Sequence, residues 1–432
     1  MKLTVQPKHQ QPTNKRFFRG DFPQVSAIKP FRALRPALAA AKQVSSVPYD
    51  VCSRAELKDL IGANPHSFLR VTRAEVDLGN EIAPDSQEIF DRARENLENL
   101  IDKKKLVLET EPSLYIYRLS TAAHAQTGVV ACCSLDEYEN GLIKKHEKTR
   151  PEKVEDRTRH ILTLRAQTGL IFFAFRQTAK LHDLIAENAA GEPLYDFVCE
   201  QNVRHQIWKA SRTNDLVKAF AEVPALYVAD GHHRAEAADA ARKILRAANP
   251  NHTGAEDYNY VVAGIFPDTD LKILAYNRAV KDLNGLSKAE FLEKLNKNFV
   301  VAETENPVPE KRGEFCFYLA GKWRKAIFSK ADSANIEPID ALDASILQTH
   351  VLQPILGIED VRTDGRIEFV GGIRGTRELE NLVDAGRAKI AFSMFPTSLE
   401  DLFAISDAGE IMPPKSTWFE PKLRDGLLVH LI

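Results

Sequence analysis

Apolar and polar positions follow two periods along this chain, one typical of strands and one typical of helices. Short apolar runs bounded by turn residues predict four strands, at 113–119, 128–134, 258–266 and 271–276. Asp85-Ser-Gln-Glu88 fits a capping box, and the helical period after it predicts a helix that begins there. Residues 288–298 predict another helix, and 314–329 alternate as strands do. This order of elements predicts a mixed α/β (α+β) fold.

The most informative stretch of the sequence is Asp230-Gly231-His232-His233-Arg234. Residues 226–228 before it predict a buried strand, and the alanine-rich residues after it predict a helix. Glycine lets the backbone turn tightly at such a junction, and the first helical N–H groups carry partial positive charge. Two imidazoles and a guanidinium add donors that suit phosphate oxygens. The stretch therefore predicts an anion site; the simpler alternative is that Asp230 only caps the helix.

A second stretch, residues 141–157, is dense in charge and contains His146-Glu147. Runs of this kind are usually solvated helix faces, and that alternative stays open. Because several cations surround it, the Glu147 carboxylate is expected to be ionised and available as a base or a magnesium ligand. Arginine at position 150 breaks the H-E-x-x-H pattern, so the stretch does not predict a zinc protease.

Two loops offer further candidates. Val47-Pro-Tyr-Asp-Val51 presents Asp50 beside an aromatic ring in an extended turn, although a purely structural role explains it equally well. Residues 411–419 place Lys415-Ser416-Thr417 after two prolines, where the alternative is a structural loop with an aromatic plug. Neither this loop nor the glycine-rich residues 370–375 match a P-loop or a dinucleotide-binding pattern.

The composition is that of a globular protein, with 44% hydrophobic and 27% charged residues and a formal net charge of −2. Nothing in this balance indicates nucleic acid or an anionic membrane as a partner. Five cysteines without a C-x-x-C pair favour reduced thiols. The polar, basic N-terminus and the lack of an apolar run near the roughly 20 residues of a membrane span predict a cytoplasmic protein.

With 432 residues, the chain is too long for one ordinary core, so two or three domains are expected. We predict a polar leader at 1–23, an N-terminal α/β module at 24–125, a catalytic core at 126–284 and a C-terminal α/β module at 285–432.

Residues 226–238 resemble the D-G-H-H-R phosphate loop of the ParB/sulfiredoxin-like fold, especially its free-serine kinase branch. His146-Glu147 is similar to the H-E motif that precedes the loop in those kinases. Together with Pro48–Val51, 64–68 and Met412–Thr417, these motifs are similar, nearly end to end, to a large prokaryotic family that includes pyrophosphate-dependent serine kinases. The resemblance implies a ParB/sulfiredoxin-like core at 126–284. Its two motifs lie farther apart than in compact archaeal enzymes, which implies a looped-out insertion near 181–218.

The resemblance also implies roles. Glu147 would deprotonate a serine hydroxyl, and Asp230 would hold Mg²⁺ or assist as a base. The phosphates would be cradled by Gly231, His232, His233 and Arg234. Motif membership alone adds phosphate contacts from Arg157, Lys415, Ser416 and Thr417, and substrate contacts from Asp50, His146 and Thr149. Phosphoryl transfer depends mainly on positioning and charge neutralisation, so these parts fit a small-molecule kinase.

For the phosphoryl donor, the sequence favours pyrophosphate over ADP, and ADP over ATP, because cations are many and no adenine-binding pattern is recognisable. Two competing hypotheses are a ParB-like nucleotide switch that binds DNA or a partner, and a scaffold without activity. The lack of a basic tail and of a helix-turn-helix counts against DNA binding. Retention of Glu147 and the D-G-H-H-R loop counts against a scaffold. The oligomeric state stays open.

Overall fold

The computed structural model describes residues 28–79, 81–329 and 337–432. The polar leader predicted at 1–23 lies outside these residues. The described α-helices are α1 (Ala41–Val44), α2 (Arg54–Ile61), α3 (Leu69–Thr72), α4 (Gln87–Asp102), α5 (Leu135–Glu139), α6 (Pro151–Leu164), α7 (Ala179–Asn188), α8 (Thr213–Phe220), α9 (His232–Ala248), α10 (Lys288–Leu295), α11 (Asp343–Leu347), α12 (Gly375–Asp384) and α13 (Leu399–Asp407).

The described strands are β1 (Ile28–Lys29), β2 (Ala33–Pro36), β3 (Leu106–Leu108), β4 (Tyr115–Ser120), β5 (Ala125–Ser134), β6 (Ile143–Lys144), β7 (Ala166–Gln167), β8 (Ile171–Phe175), β9 (Tyr195–Val198), β10 (Arg204–Lys209), β11 (Leu226–Asp230), β12 (Tyr260–Pro267), β13 (Ile273–Leu274), β14 (Tyr276–Val280), β15 (Phe299–Glu303), β16 (Glu314–Leu319), β17 (Lys322–Phe328), β18 (Ile367–Gly371), β19 (Ile390–Met394), β20 (Trp418–Phe419) and β21 (Val429–Leu431). The mixed α/β prediction is confirmed.

The largest sheet has the strand order β6-β11-β8-β12-β5-β4-β10-β9, with β1 paired to β5. One face is covered by apolar residues of α6, α7, α8 and α9. The other face packs against the C-terminal part of the chain, including Phe403 of α13 and Leu427. A sheet that is covered on both sides must be apolar throughout, and β8 accordingly reads Ile-Phe-Phe-Ala-Phe with every residue buried.

A second sheet has the order β15-β17-β16-β19-β14-β18 and surrounds its own apolar core. A small sheet, β3-β2-β21-β7, joins the last strand of the chain to the N-terminal region. Strand pairing therefore crosses both internal boundaries of the predicted modules, since β4 pairs with β5 and β14 pairs with β18 and β19. Local periodicity predicts strands but does not specify their partners.

The segment 181–218 is not looped out. It forms α7, β9, β10 and α8, and β10 pairs along its whole length with β4 at the edge of the largest sheet. Because its strands continue an existing hydrogen-bond ladder, the segment extends the sheet instead of leaving it.

Two local predictions need correction. Ser86, not Asp85, caps α4, because its hydroxyl accepts the backbone N–H of Glu88. The strand predicted at 271–276 is divided: Ile273–Leu274 form β13, which pairs with β20, and Tyr276 begins β14 in the second sheet.

No helix in the described ranges is long and apolar enough to cross a membrane. All five cysteines are buried and form no disulfide, as their spacing predicted.

The close approach of β5 and β12 gives a test of the sheet. A Cβ atom added at Gly128 would lie 2.4 Å from the carbonyl oxygen of Ile265 and 2.7 Å from the ring of Phe266. We expect Gly128→Ala to lower the free energy of unfolding by roughly 1–3 kcal/mol, because backbone atoms must move apart. Urea denaturation measures this change. Gly365→Ala, whose added methyl group meets nothing within 4 Å, is the matched control and should change stability much less.

Candidate functional site

Two parallel strands bring the two charged motifs together. Strand β6 pairs with β11 in the same direction, with Ile143 opposite Leu226. Neighbouring parallel strands end at the same edge of a sheet, so Glu147, which follows β6, and Asp230, which ends β11, face one cleft. This first cleft has a volume of about 260 Å³ and is also lined by Asp50, Lys415 and Thr417. Five residues proposed from separate segments thus share one concave surface.

Asp230 is ionised at this edge. A register shift between Val228 and Asp230 turns its side chain out of the ladder. Its Oδ2 atom lies 3.5 Å from Lys422 Nζ and 3.4 Å from Arg234 Nη2. Burial opposes ionisation, but these cations and their neighbours outweigh it and lower the pKa of Asp230 to about 2.

Glu147 has the opposite tendency. Burial raises its pKa above the ordinary glutamate value, and the negative charge of Asp230 adds to the effect, whereas Lys415 works against it. Cations were expected to favour the ionised form of this carboxyl, but desolvation has the larger influence and shifts the pKa the other way. A carboxyl poised in this way can accept and release a proton nearer neutral pH than an exposed glutamate.

Two lysines near the C-terminal end, Lys415 and Lys422, each lie over an aromatic ring in the first cleft. Lys415 Nζ lies 5.5 Å from the centre of the Tyr276 ring, and Lys422 Nζ lies 4.9 Å from the centre of the Trp418 ring. These rings meet edge to face, with centroids 5.2 Å apart. A cation over a ring face is attracted to it, so the rings orient both ammonium groups within the cleft. Lys415 has a positive φ of 60°, a conformation that its neighbours must hold.

A second cleft, of about 500 Å³, adjoins the first and shares Asp50 and Lys415 with it. Its polar side contains Arg157 and His233 together with Arg150 and Lys153, and its apolar side is formed by Val71, Ile89, Phe90 and Ala93. The combination of cations and an apolar wall can accept an anion that carries an organic group. The sequence had offered no such apolar slot, because these residues come from helices far from the motifs.

His233 is neutral in this arrangement. Burial lowers its pKa, and the nearby charges of Arg150 and Lys415 lower it further. The backbone N–H of Arg150 donates to His233 Nε2 over 3.1 Å. The proton of the ring is then on Nδ1, so His233 can donate one hydrogen bond but brings no charge to a phosphate.

His146 and His232 do not point into either cleft. Both are buried, and their Nε2 atoms lie 3.4 Å apart. Burial lowers the pKa of His146 to about 4 and lowers that of His232 as well, so both rings are neutral. The predicted contacts of these imidazoles with substrate and phosphate are therefore corrected: the rings join the two motifs from behind.

Ser416 also differs from the prediction. The Ser416 hydroxyl donates to the carbonyl of Pro413 over 2.7 Å, which fixes the turn at Lys415 instead of offering the hydroxyl proton to a ligand. Thr149 is half-buried in the loop before α6, and its contact with substrate stays a prediction.

Arg234 is held behind the turn that Asp230, Gly231 and His232 form between β11 and α9. Its Nη1 atom donates to the carbonyl of Leu170 over 2.6 Å and lies 4.0 Å from Asp425 Oδ1. Gly231, with φ of 94°, begins the helix, and a Cβ atom there would lie 3.0 Å from the guanidinium. Arg234 thus supports the loop conformation and the charge of Asp230.

Several site residues carry no recognisable sequence signal. Lys422 follows the last motif, and Glu368 and Glu378 belong to β18 and α12. Asp425, which lies 4.0 Å from Arg234, also follows the last motif. Arg374 and Trp418 belong to the glycine-rich and proline-containing stretches of the sequence analysis, which had not assigned either residue to a site. In the described residues, no group of three or more His, Cys, Asp or Glu side chains could hold a metal ion by itself.

Asp425 predicts a pH dependence of stability. Burial raises the pKa of this carboxyl to about 7, although Arg234 opposes the shift. Between the unfolded pKa, near 4, and about pH 7 the folded protein holds a proton that the unfolded chain releases, so rising pH destabilises the fold. Compared with Asp425→Asn, the wild type should lose roughly a few kcal/mol across this window. Urea denaturation of both proteins at several pH values measures the difference, and the exposed Asp340→Asn substitution is the control. Equal slopes for wild type and Asp425→Asn would contradict the assignment.

The chain is similar in structure to a free serine kinase variant in complex with AMP, at a TM-score of 0.35 and 15% identity, covering 67% of this chain and 87% of that chain. It is also similar to SbnI with a C-terminal truncation from Staphylococcus aureus, at a TM-score of 0.38 and 14% identity, covering 70% and 87%. A conserved hypothetical protein from Pyrococcus furiosus has a TM-score of 0.34 and 16% identity, covering 70% and 95%. At these values the likenesses decide neither activity nor site.

A search of curated proteins finds no match to the chain. Residues 28–345 match a family described as a protein of unknown function, DUF1015. This match spans most of the sequence, from β1 through the D-G-H-H-R motif and into α11. The chain belongs to the DUF1015 family.

Proposed function

We propose that the protein is a small-molecule kinase that transfers a phosphoryl group from pyrophosphate to the hydroxyl of free L-serine. The observation that carries this proposal is a pair of carboxyl groups in one cleft whose pKa values are shifted in opposite directions, raised for Glu147 and lowered for Asp230. In such a pair, the group with the raised pKa, Glu147, is suited to transfer a proton, and the group with the lowered pKa, Asp230, is suited to bind a cation. The donor and acceptor are supported by the resemblance of the His146-Glu147 and D-G-H-H-R motifs to those of serine kinases.

In this mechanism Glu147 accepts the proton of the serine hydroxyl as the hydroxyl oxygen attacks the phosphorus atom. The bond between that phosphorus and the bridging oxygen breaks, and orthophosphate leaves with the bond's electron pair. Desolvation opposes the charge of Lys415, but Tyr276 and Glu147 outweigh it and raise the pKa of Lys415, which stays protonated where the two clefts meet. Its ammonium group can therefore offset the charge that develops on the phosphate oxygens.

The donor set fits a magnesium ion held mainly by its substrate. Asp230 supplies one ionised carboxylate, and Mg²⁺ commonly uses one or two carboxylates with phosphate oxygens and water. When bound there with pyrophosphate, Mg²⁺ would neutralise charge on the phosphate oxygens. Lys422 and Arg234 keep Asp230 deprotonated and so available as a ligand.

The donor is tested by kinetics. We expect phosphoserine to form with L-serine and pyrophosphate, with a higher kcat/KM than with ADP or ATP, because six Lys and Arg side chains line the second cleft against three Asp and Glu side chains. Phosphorus NMR with each donor in parallel measures the product directly. The apolar wall of the second cleft could hold the adenine ring of a nucleotide, so the comparison is informative. A higher kcat/KM with ADP or ATP would leave the kinase proposal intact and overturn the choice of donor. No phosphoserine with any donor would overturn the kinase proposal.

The base is tested by Glu147→Gln. Glutamine keeps the size of the side chain but cannot accept the proton, so kcat should fall by roughly 10²-fold or more while donor affinity changes little. Glu155→Gln is the matched control, because this exposed residue of α6 loses the same charge. Wild-type kcat in Glu147→Gln would remove this residue from the mechanism.

A further inference from the structure

A third pocket, which we call the back pocket, lies behind the loop that carries Lys415. It has a volume of about 340 Å³ and is lined by Arg278, Gln348, Glu359, Arg362, Pro413 and Pro414, among others. The two prolines directly precede Lys415, so one loop separates the back pocket from the first cleft. The volume suits a small metabolite.

Arg278 is the cation of this pocket that has no ion-pair partner among the described residues. It is only 4% exposed, and its Nη1 and Nη2 atoms donate to the backbone carbonyls of Tyr276 and Lys415. Burial lowers its pKa to about 10. Arg362, by contrast, is neutralised by Asp360, with Nε–Oδ1 and Nη2–Oδ2 distances of 2.9 and 2.8 Å. A buried guanidinium that lines a pocket and has no carboxylate partner is suited to a carboxylate ligand, to which its remaining N–H groups can donate.

The opposite wall supplies an acceptor. Gln348 and Leu352 lie on a single π-helical turn, Gln348–Leu352, which continues α11. The Gln348 amide donates to the carbonyl of Ile358 over 2.9 Å, but its Oε1 atom is buried without a partner. Glu359 lines the pocket as well, and its Oε2 atom accepts from the Gln353 amide over 2.9 Å. Unpaired buried acceptors are costly, and π-turns occur frequently at functional sites.

We propose that the back pocket binds a small free α-amino acid, with its carboxylate on Arg278 and its ammonium group at Gln348 Oε1 and Glu359, as an effector of the neighbouring cleft. The coupling is direct, because Arg278 Nη2 also donates to the carbonyl of Lys415 over 3.2 Å. Lys415 has a positive φ, and the hydrogen bond from Arg278 helps to hold this strained conformation. A ligand that binds the Arg278 guanidinium competes with this hydrogen bond and so alters the conformation of Lys415. The binding step does not depend on the proposed kinase activity.

The experiment is titration calorimetry of the full chain with glycine and, separately, with acetate. Glycine has no hydroxyl group and cannot accept a phosphoryl group. We expect glycine to bind with a Kd on the order of millimolar, and acetate roughly ten-fold more weakly because it lacks the ammonium group. Gln348→Met should weaken glycine binding roughly ten-fold and leave acetate unchanged. Ala344→Leu, which fills the pocket from α11, should abolish binding of both.

Thr417→Val is the matched control, since it alters the first cleft and should leave glycine binding at the back pocket intact. Coupling is measured by repeating the glycine titration with pyrophosphate present. We expect the Kd of glycine to change by roughly 5-fold or more. By thermodynamic reciprocity, glycine should change the Kd of pyrophosphate by the same factor. If Ala344→Leu fails to fold, the selective effect of Gln348→Met carries the test. No glycine binding in the wild type, loss in Thr417→Val alone, or unchanged binding in Gln348→Met would each overturn the proposal.

Discussion

The candidate site depends on the parallel pairing of β6 with β11. Only two residue pairs form this ladder, Ile143 with Leu226 and Lys144 with Tyr227. They set the H-E motif and the D-G-H-H-R motif at one edge of the largest sheet although many residues separate them in the chain. His146 and His232 reinforce the pairing from behind, as two neutral rings in edge contact with centroids 4.4 Å apart. Without this pairing the two carboxyl groups of the first cleft would not share an environment.

Burial and charge then separate the two carboxyl groups chemically. Both lose solvation, which raises a carboxyl pKa, but Asp230 gains Lys422 and Arg234 within ion-pair distance, whereas Glu147 faces the charge of Asp230 itself. At Asp230 the attraction of the cations is the stronger effect and lowers the pKa, whereas at Glu147 desolvation is the stronger effect and raises the pKa. A site that performs acid–base chemistry needs this kind of asymmetry, and here it results from the positions of Lys422 and Arg234 beside Asp230.

Residues 412–431, which include Lys415, Thr417 and Lys422, therefore contribute to the candidate site. The backbone N–H of Met412 donates to the carbonyl of His146 over 2.8 Å, which joins the segment to the H-E motif. Trp418 packs on Gly371, where a Cβ atom would lie 2.7 Å from the ring, and so joins it to the second sheet. Strand β21 finally returns to the N-terminal region. One segment thus aligns both sheets around the two clefts, and the back pocket lies on its far side.

The sequence by itself determined the local elements and the candidate chemistry. An apolar run, a glycine and an alanine-rich stretch specify β11, the turn at Gly231 and α9, because each depends on neighbouring residues alone. Only the tertiary structure decided which side chains reach a ligand. Strand partners, the inward orientation of His146 and the raised pKa of Glu147 depend on burial by elements distant in the chain. Lys422 joined the site for the same reason, since charge acts through space and leaves no pattern along the sequence.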